Sequence, residues 1–122
     1  MSPVAVARTI GAGRLAIGVA MMAAPKLAMS RWVGADEIER PALDMVTRSF
    51  GAREVLLGFI GVHVANRDGV NKRTLQSMAF LDATDLTVTA LRRDGLPKGA
   101  LPMMVAVAGG AVAAQLWAAS EL

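Results

Sequence analysis

The sequence predicts an all-α protein built as a four-helix, up-down-up-down bundle that crosses a membrane. Hydrophobic residues make up 54% of its 122 residues, and the mean hydropathy is +0.45. Aromatic residues account for only 4%, whereas the chain has 12 glycines. Small apolar residues let helices pack closely in lipid, so this composition favours a membrane bundle. The mean hydropathy is modest for a protein with several spans, which leaves a soluble helical bundle as the alternative.

Residue types that are missing exclude several kinds of site. The chain has no cysteine and one histidine, so disulfides, thiolate metal ligands and multi-histidine clusters are excluded. We therefore expect neither a metal nor a cofactor. The net charge is +3, but the basic residues are scattered and no aromatic residues lie between them. This distribution is not typical of nucleic-acid binding, so we expect no nucleic-acid partner.

The first predicted helix covers residues 4–24 and ends before Pro25. An apolar N-terminal segment followed by small residues is also typical of a signal peptide. Arg14, in the middle of the segment, argues against that alternative. An internal repeat argues against it more strongly, because residues 6–18 align without gaps on residues 46–58 and Arg14 falls opposite Glu54. A chance match between two glycine- and alanine-rich helices is the alternative to a true repeat.

The second predicted helix, residues 42–65, carries a stripe of small residues interrupted by one carboxylate. Gly51, Glu54 and Gly58 share a face, because positions three and four apart are neighbours on a helix. Glycine allows another backbone to approach, so this stripe predicts contact with a neighbouring helix. A turn signal follows at residues 66–69. The link before this helix, residues 26–41, is predicted to lie on the membrane surface, with Trp32 as an interfacial anchor.

The third and fourth predicted helices cover residues 72–91 and 100–119. The third is the most polar, and the fourth has about the 20 residues that a bilayer core requires. In the fourth, Ala106, Gly110, Ala114 and Ala118 recur every four residues, a pattern typical of close helix packing. Short links between four helices predict the up-down-up-down arrangement within a single domain, residues 1–122.

The sequence resembles a family of small bacterial four-helix membrane proteins classed as domains of unknown function. The resemblance rests on Arg48-x-x-Gly51-Ala52-Arg53-Glu54-x-x-x-Gly58 on one helix and Asp82-x-x-Asp85 on the next. It covers most of the chain from Val4 onward. The family implies a multi-spanning protein, here of the bacterial inner membrane, and carries no established activity.

Ionisable residues near the middle of three predicted helices form the candidate site. Midpoints of antiparallel neighbours lie at one depth, so a cluster of Arg14, Arg53, Glu54, Asp82 and Asp85 is expected. Two cations against three carboxylates leave one surplus negative charge. Burying that charge alone is costly, so one carboxyl is expected to carry a proton. The alternative is that these groups only join helices, although such polar contacts in membranes stabilise by about 0.6 kcal/mol on average.

The predicted function is binding of a lipophilic small molecule or lipid at this centre. An acid–base hydrolase, isomerase or cyclase would use Glu54, Asp82 and Asp85 as acid and base, with Arg53 or Arg14 as electrostatic partner. Further ligand-binding residues are predicted at Arg14, Arg48, Met78 and Thr89. The alternative is a non-catalytic subunit that docks on a larger membrane complex or on a second copy. A pocket around Asp82 favours the first function, and an exposed glycine or alanine stripe favours the second.

Overall fold

The protein is all-helical over the residues that the computed structural model describes, 2–64 and 72–122. No strand is present in those two ranges. The turn predicted at residues 66–69 and the last residue of the second predicted helix lie outside them. The α-helices are α1 (Pro3–Ala23), α2 (Pro25–Val33), α3 (Ala35–Ile38), α4 (Pro41–Val64), α5 (Lys72–Leu91), α6 (Ala100–Met104) and α7 (Gly110–Ser120). A 3-10 turn covers Arg93–Gly95, and a π-helical segment, Val105–Gly109, joins α6 to α7.

Prolines begin the first, second and fourth helices. A proline at the first helical position loses no hydrogen bond, because the N–H group at that position has no partner within the helix. The Ser2 hydroxyl accepts a hydrogen bond from the Ala5 N–H at 3.1 Å and caps α1 ahead of Pro3. Pro25 separates α1 from α2, and Pro41 starts α4. The prolines therefore divide the first half of the chain into its helices.

Helices α1 and α4 run antiparallel in backbone contact. A Cβ added to Gly18 would lie 2.6 Å from the Gly51 carbonyl oxygen, and one added to Gly58 would lie 2.6 Å from that of Gly11. No side chain fits at such distances, so these positions require glycine. The structure confirms the helix contact that the stripe around Glu54 predicts. The close approach brings the middle of α1 against the middle of α4.

Helix α5 runs antiparallel to the last helical segment. Leu75 near the start of α5 packs with Ala118 and Ala119 of α7, whereas Leu86 lies near Gly109. The Leu75 cluster also contains residues of the first turns of α1. A second apolar cluster, around Met21, forms near the other end of α1. Along α1, the middle of the helix lies between these two clusters.

The segment after α1 differs from the expected surface link. It forms α2 and α3, which contact α1 and α4. Met29 and Ile38 are buried in the apolar cluster around Met21, and Trp32 packs against that cluster. The physical reason is that α2 is two-sided: Lys26, Leu27 and Arg31 are exposed, whereas Met29 and Trp32 face the other helices.

The first half of the small-residue stripe predicted in the fourth helix does not pack inside the protein. Ala106 and Gly110 are exposed, and the buried face carries Met104, Ala108 and Gln115 instead. A stripe with four-residue spacing drifts by about 40 degrees per step around a helix, so only its second half, Ala114 and Ala118, reaches the apolar cluster around Leu75. The π-helical segment shifts the register of the helix further.

In the part of the chain that the structure describes, two helical segments are long and apolar enough to cross a membrane, Pro3–Ala23 and Ala100–Ser120. Such helices also occur in soluble cores and signal sequences, so length and composition alone give weak evidence of a membrane location. In these two segments, however, only 33% and 22% of the apolar window is buried inside the protein.

Candidate functional site

Arg14 is the centre of a buried ionic network. Its side chain is 6% exposed, and α1 carries it into the space between α4 and α5. Nη1 donates to Glu54 Oε2 at 2.9 Å, and Nη2 donates to Asp82 Oδ2 at 2.6 Å. Both carboxylates are themselves buried. One guanidinium therefore holds two helices by charge-assisted hydrogen bonds, which are stronger than neutral ones.

Gln115 adds the last helix to this network. Its side chain is fully buried, and Nε2 donates to Asp82 Oδ2 at 2.7 Å and to the Ala111 carbonyl at 2.9 Å. Its Oε1 accepts a longer hydrogen bond, 3.4 Å, from Arg14 Nη2. Each of the four long helical segments thus contributes one side chain to the centre. The sequence analysis did not assign Gln115 to the site, although a single strongly polar residue in an apolar span is a signal for such a role.

Arg53 and Asp85 form the outer edge of the network. Arg53 Nη2 donates to Glu54 Oε1 at 3.2 Å and makes an ion pair with Asp85 Oδ2 at 3.5 Å. The guanidinium carbon of Arg53 lies 4.2 Å from the centre of the Phe50 ring. The structure thus brings together all five charged residues that the sequence predicts to cluster. Their catalytic role stays a prediction.

The network leaves some of its hydrogen-bonding capacity unused. Among the described residues, no acceptor lies within reach of the buried Nε atoms of Arg14 and Arg53. A buried donor without a partner costs about 1–3 kcal/mol. Two arginines and three carboxylates also leave one negative charge in excess at full ionisation. Both features are unfavourable for a cluster whose sole role is to hold helices together.

An apolar cavity of about 340 Å³ lies beside the ionic centre. The charged residues that line it are Arg14, Glu54, Asp82 and Asp85. Most of the remaining wall is apolar and comes from α1, α2 and the last helical segment; it includes Ile10, Ile17, Met21, Met29, Met103 and Val107. The volume falls in the range of small-molecule sites, about 300–1,000 Å³, which are also mostly apolar with a few polar groups.

Two aromatic rings form part of the cavity wall. Trp32 and Phe50 both line it, and their rings meet edge to face with 6.0 Å between centroids. Trp32 Nε1 donates to Thr89 Oγ1 at 2.9 Å, and that hydroxyl donates to the Asp85 carbonyl at 2.8 Å. This chain of hydrogen bonds fixes α2 against α5. The sequence analysis missed this role of Trp32, because a tryptophan among charged residues also suits a membrane interface.

The other predicted ligand-binding residues lie outside the cavity wall. Arg48 is half exposed and donates to Asp44 Oδ2 at 3.0 Å and to the Met22 carbonyl. Met78 and Thr89 are buried. Thr89 does not line the cavity itself, but it accepts a hydrogen bond from Trp32, which does. Within residues 2–64 and 72–122, no group of three or more His, Cys, Asp or Glu side chains is placed to hold a metal ion.

Comparison with known proteins gives no match for this chain. No protein-family model matches it, and neither a curated protein nor a solved structure is similar enough to count as a match. The resemblance to small bacterial four-helix membrane proteins therefore stays a prediction from the sequence motifs. The assignment of function rests on the geometry of the site.

Proposed function

We propose that this chain is an integral membrane protein that binds a small lipophilic molecule in the cavity beside Arg14. In this proposal, α1, α4, α5 and the segment from α6 to α7 form a four-helix, up-down-up-down bundle across a bacterial inner membrane. The single observation that carries the binding function is the apolar cavity with a charged end formed by Arg14, Glu54, Asp82 and Asp85. The sequence motifs around Arg48 and Asp82 support membership of the uncharacterised family.

Outward-facing apolar side chains support the membrane part of the proposal. Large apolar residues on all four long helical segments are exposed, such as Ile17, Leu56, Phe80 and Leu116, and Phe80 is exposed by 70%. In water, a monomer with this much exposed apolar surface would associate or aggregate. Lipid is the solvent in which apolar side chains point outward and charged groups point inward.

The cavity supports a binding function over a role as helix glue. Contacts between α1 and α4 are already close through glycine, so the polar centre is not needed to bring these two helices together. A cluster that only joined helices would gain from filling the space beside it with side chains, because cavities destabilise. The cavity instead opens onto buried charged side chains, the groups whose burial is least favourable in free energy. A ligand that contacts them gives that arrangement a use.

The catalytic form of the proposal assigns proton transfer to Asp85. Glu54 and Asp82 are held by Arg14, whereas the described contacts of the Asp85 carboxylate are limited to one ion pair at 3.5 Å. Its side chain is also the most exposed of the three, 21% against 7% and 10%. Asp85 is therefore the carboxylate best able to reach a substrate. Epoxide opening, isomerisation and cyclisation of a lipophilic substrate are the reaction classes that we propose.

Docking on a larger membrane complex is the second candidate function, and one observation favours it. Ala106 and Gly110 are exposed, and a side chain added at Gly110 would meet nothing within 4 Å. Exposed small residues suit close helix contacts with another membrane protein. The two candidate functions therefore predict different effects at Gly110 and at the cavity.

A pair of matched substitutions separates the two functions. Gly13 lines the cavity and also has open space around it, so Gly13→Phe places a ring at the cavity without a backbone clash. Gly110→Phe adds the same ring outside it. The assay uses a Trp117→Phe background in lipid nanodiscs and measures energy transfer from Trp32 to N-phenylnaphthylamine. We expect saturable transfer that Gly13→Phe abolishes and Gly110→Phe preserves. Equal transfer in both variants would reject the cavity as the binding site, and a smaller complex with Gly110→Phe alone would favour docking.

A further inference from the structure

The charges around the cavity indicate which class of lipophilic molecule it takes. Among the described residues, the charged side chains in its wall are one guanidinium and three carboxylates. The guanidinium, that of Arg14, already pairs with Glu54 and Asp82 through both of its terminal nitrogens. Arg53 does not line the cavity and contacts Glu54 and Asp85 from behind. With both arginines counted, the cluster keeps one negative charge in excess.

At full ionisation, the carboxylate with the least compensation is that of Asp85. Glu54 contacts both arginines, and Asp82 accepts hydrogen bonds from Arg14 and Gln115. Asp85 has the longest ion pair of the three, 3.5 Å, and the largest exposed fraction of side chain. A carboxylate with little compensation beside an apolar space attracts a positive charge strongly, because the dielectric constant is low there.

The uncharged part of the wall suits a cation with apolar substituents. The aromatic rings of Trp32 and Phe50 line the cavity, and aromatic faces attract ammonium groups. One face of Phe50 already carries the Arg53 guanidinium at 4.2 Å, which is an example of this interaction within the protein. Four methionines also line the cavity: Met21, Met29, Met103 and Met104. Their flexible, polarisable side chains adapt to ligands of irregular shape.

We infer that the cavity binds lipophilic organic cations, with Asp85 as the counter-ion and Trp32 and Phe50 against the apolar groups of the ligand. This inference rests on the proposed function and narrows its ligand class. A bound monovalent cation neutralises the surplus charge of the cluster. A neutral ligand leaves that charge uncompensated, and an anion adds to it.

An isosteric pair of ligands tests the inference. Benzyltrimethylammonium and neopentylbenzene have the same shape and differ by a positively charged nitrogen in place of a carbon. Both are titrated against the Trp117→Phe protein in lipid nanodiscs, with Trp32 fluorescence as the signal and empty nanodiscs as the reference for partitioning. We expect the cation to bind about tenfold more tightly than the hydrocarbon, and phenylmethanesulfonate to give no saturable signal.

Asp85→Asn and Asp94→Asn form the matched pair of variants. Asp94 is exposed in the 3-10 turn, so its variant should keep the preference for the cation. In Asp85→Asn, the two ligands should bind with affinities that differ by no more than about threefold. Equal affinities in the unsubstituted Asp85 protein would overturn the cation inference and leave the proposed function standing. If neither ligand changes Trp32 fluorescence saturably, the cation inference and the proposed function both fail.

Discussion

Arg14 and Glu54 are aligned when residues 6–18 are placed on residues 46–58, and their side chains pair across the contact between α1 and α4, with 2.9 Å between Nη1 and Oε2. The glycines around them follow the same relation. In the alignment Gly18 corresponds to Gly58, and in the structure Gly18 approaches Gly51. Gly51 is aligned with Gly11, and Gly11 is the residue that Gly58 approaches.

Exchange of partners between aligned positions is the geometry of two equivalent helices packed antiparallel around a local two-fold axis. The structure therefore agrees with a repeat whose two copies carry opposite charges at the crossing point. Because one helix carries a cation and the other a carboxylate, the symmetric helix contact contains an ion pair at its centre. The remaining carboxylates come from α5, which lies outside the repeated segment.

The first prediction concerns the stabilisation of the buried Asp82 carboxylate by Arg14. Arg14→Met leaves Glu54 and Asp82 buried without their shared cation, so the free energy of unfolding should fall by about 3–5 kcal/mol. Adding Asp82→Asn should recover part of that loss, because one uncompensated charge is removed. The measurement is a double-mutant cycle by denaturant unfolding in mixed micelles. Arg8→Met, at an exposed position of α1, is the control, and strictly additive effects at Arg14 and Asp82 would contradict the network.

The second prediction concerns the glycine contact. In Gly18→Ala the new methyl group meets the Gly51 carbonyl oxygen at 2.6 Å, so the helices must separate. We expect a loss of about 1–3 kcal/mol in the free energy of unfolding, as for other overpacked sites. Gly13→Ala in the same helix meets nothing within 4 Å and should stabilise by up to about 1 kcal/mol through helix propensity. Equal effects of the two substitutions would mean that α1 and α4 are not in backbone contact.

The third prediction concerns the hydrogen bond that holds α2. Thr89→Val removes the acceptor of Trp32 Nε1 with little change in shape. The free energy of unfolding should fall by about 1–3 kcal/mol, because a part-buried donor loses its partner. The emission maximum of Trp32 should shift in a Trp117→Phe background. Thr87→Val is the control, since the Thr87 hydroxyl is exposed and bonds within its own helix. Identical emission spectra of the two valine variants would place Trp32 away from Thr89.

The fourth prediction concerns location. Because large apolar side chains are exposed on all four long helical segments, the protein should sediment with membranes and resist extraction by high salt and by alkali. Membrane fractionation followed by detection of the chain in the pellet checks this. Recovery as a stable monomer without detergent would revive the soluble helical bundle.

The centre of the site could be predicted from the sequence because a chain of long helices with short links can pack in few ways. Arg14, Glu54 and Asp82 each lie near the middle of a long helix, and antiparallel packing brings such midpoints together. The glycine stripe around Glu54 indicated which face of α4 meets a neighbouring helix. The prediction succeeded where periodicity and helix length alone decide the geometry.

The rest of the site depends on contacts that periodicity does not encode. Gln115 lies on a face of the last segment that a small-residue stripe did not identify, since the π-helical segment changes the register. Trp32 joins the cavity because α2 folds back against the other helices after Pro25. A chain reversal of this kind follows from tertiary packing of Met29 and Ile38, which no local pattern in residues 26–41 reveals.

Photolabelling shows directly whether a small lipophilic molecule binds in the cavity beside Arg14. The protein in lipid nanodiscs is irradiated with trifluoromethyl-phenyldiazirine, and the labelled residues are identified by mass spectrometry with and without excess neopentylbenzene or benzyltrimethylammonium as competitor. The account predicts saturable, competed labelling at Met29, Trp32 and Met103 that Gly13→Phe removes and Gly110→Phe retains. Labelling confined to outward-facing residues such as Leu56 and Phe80, without saturation or competition, would contradict it.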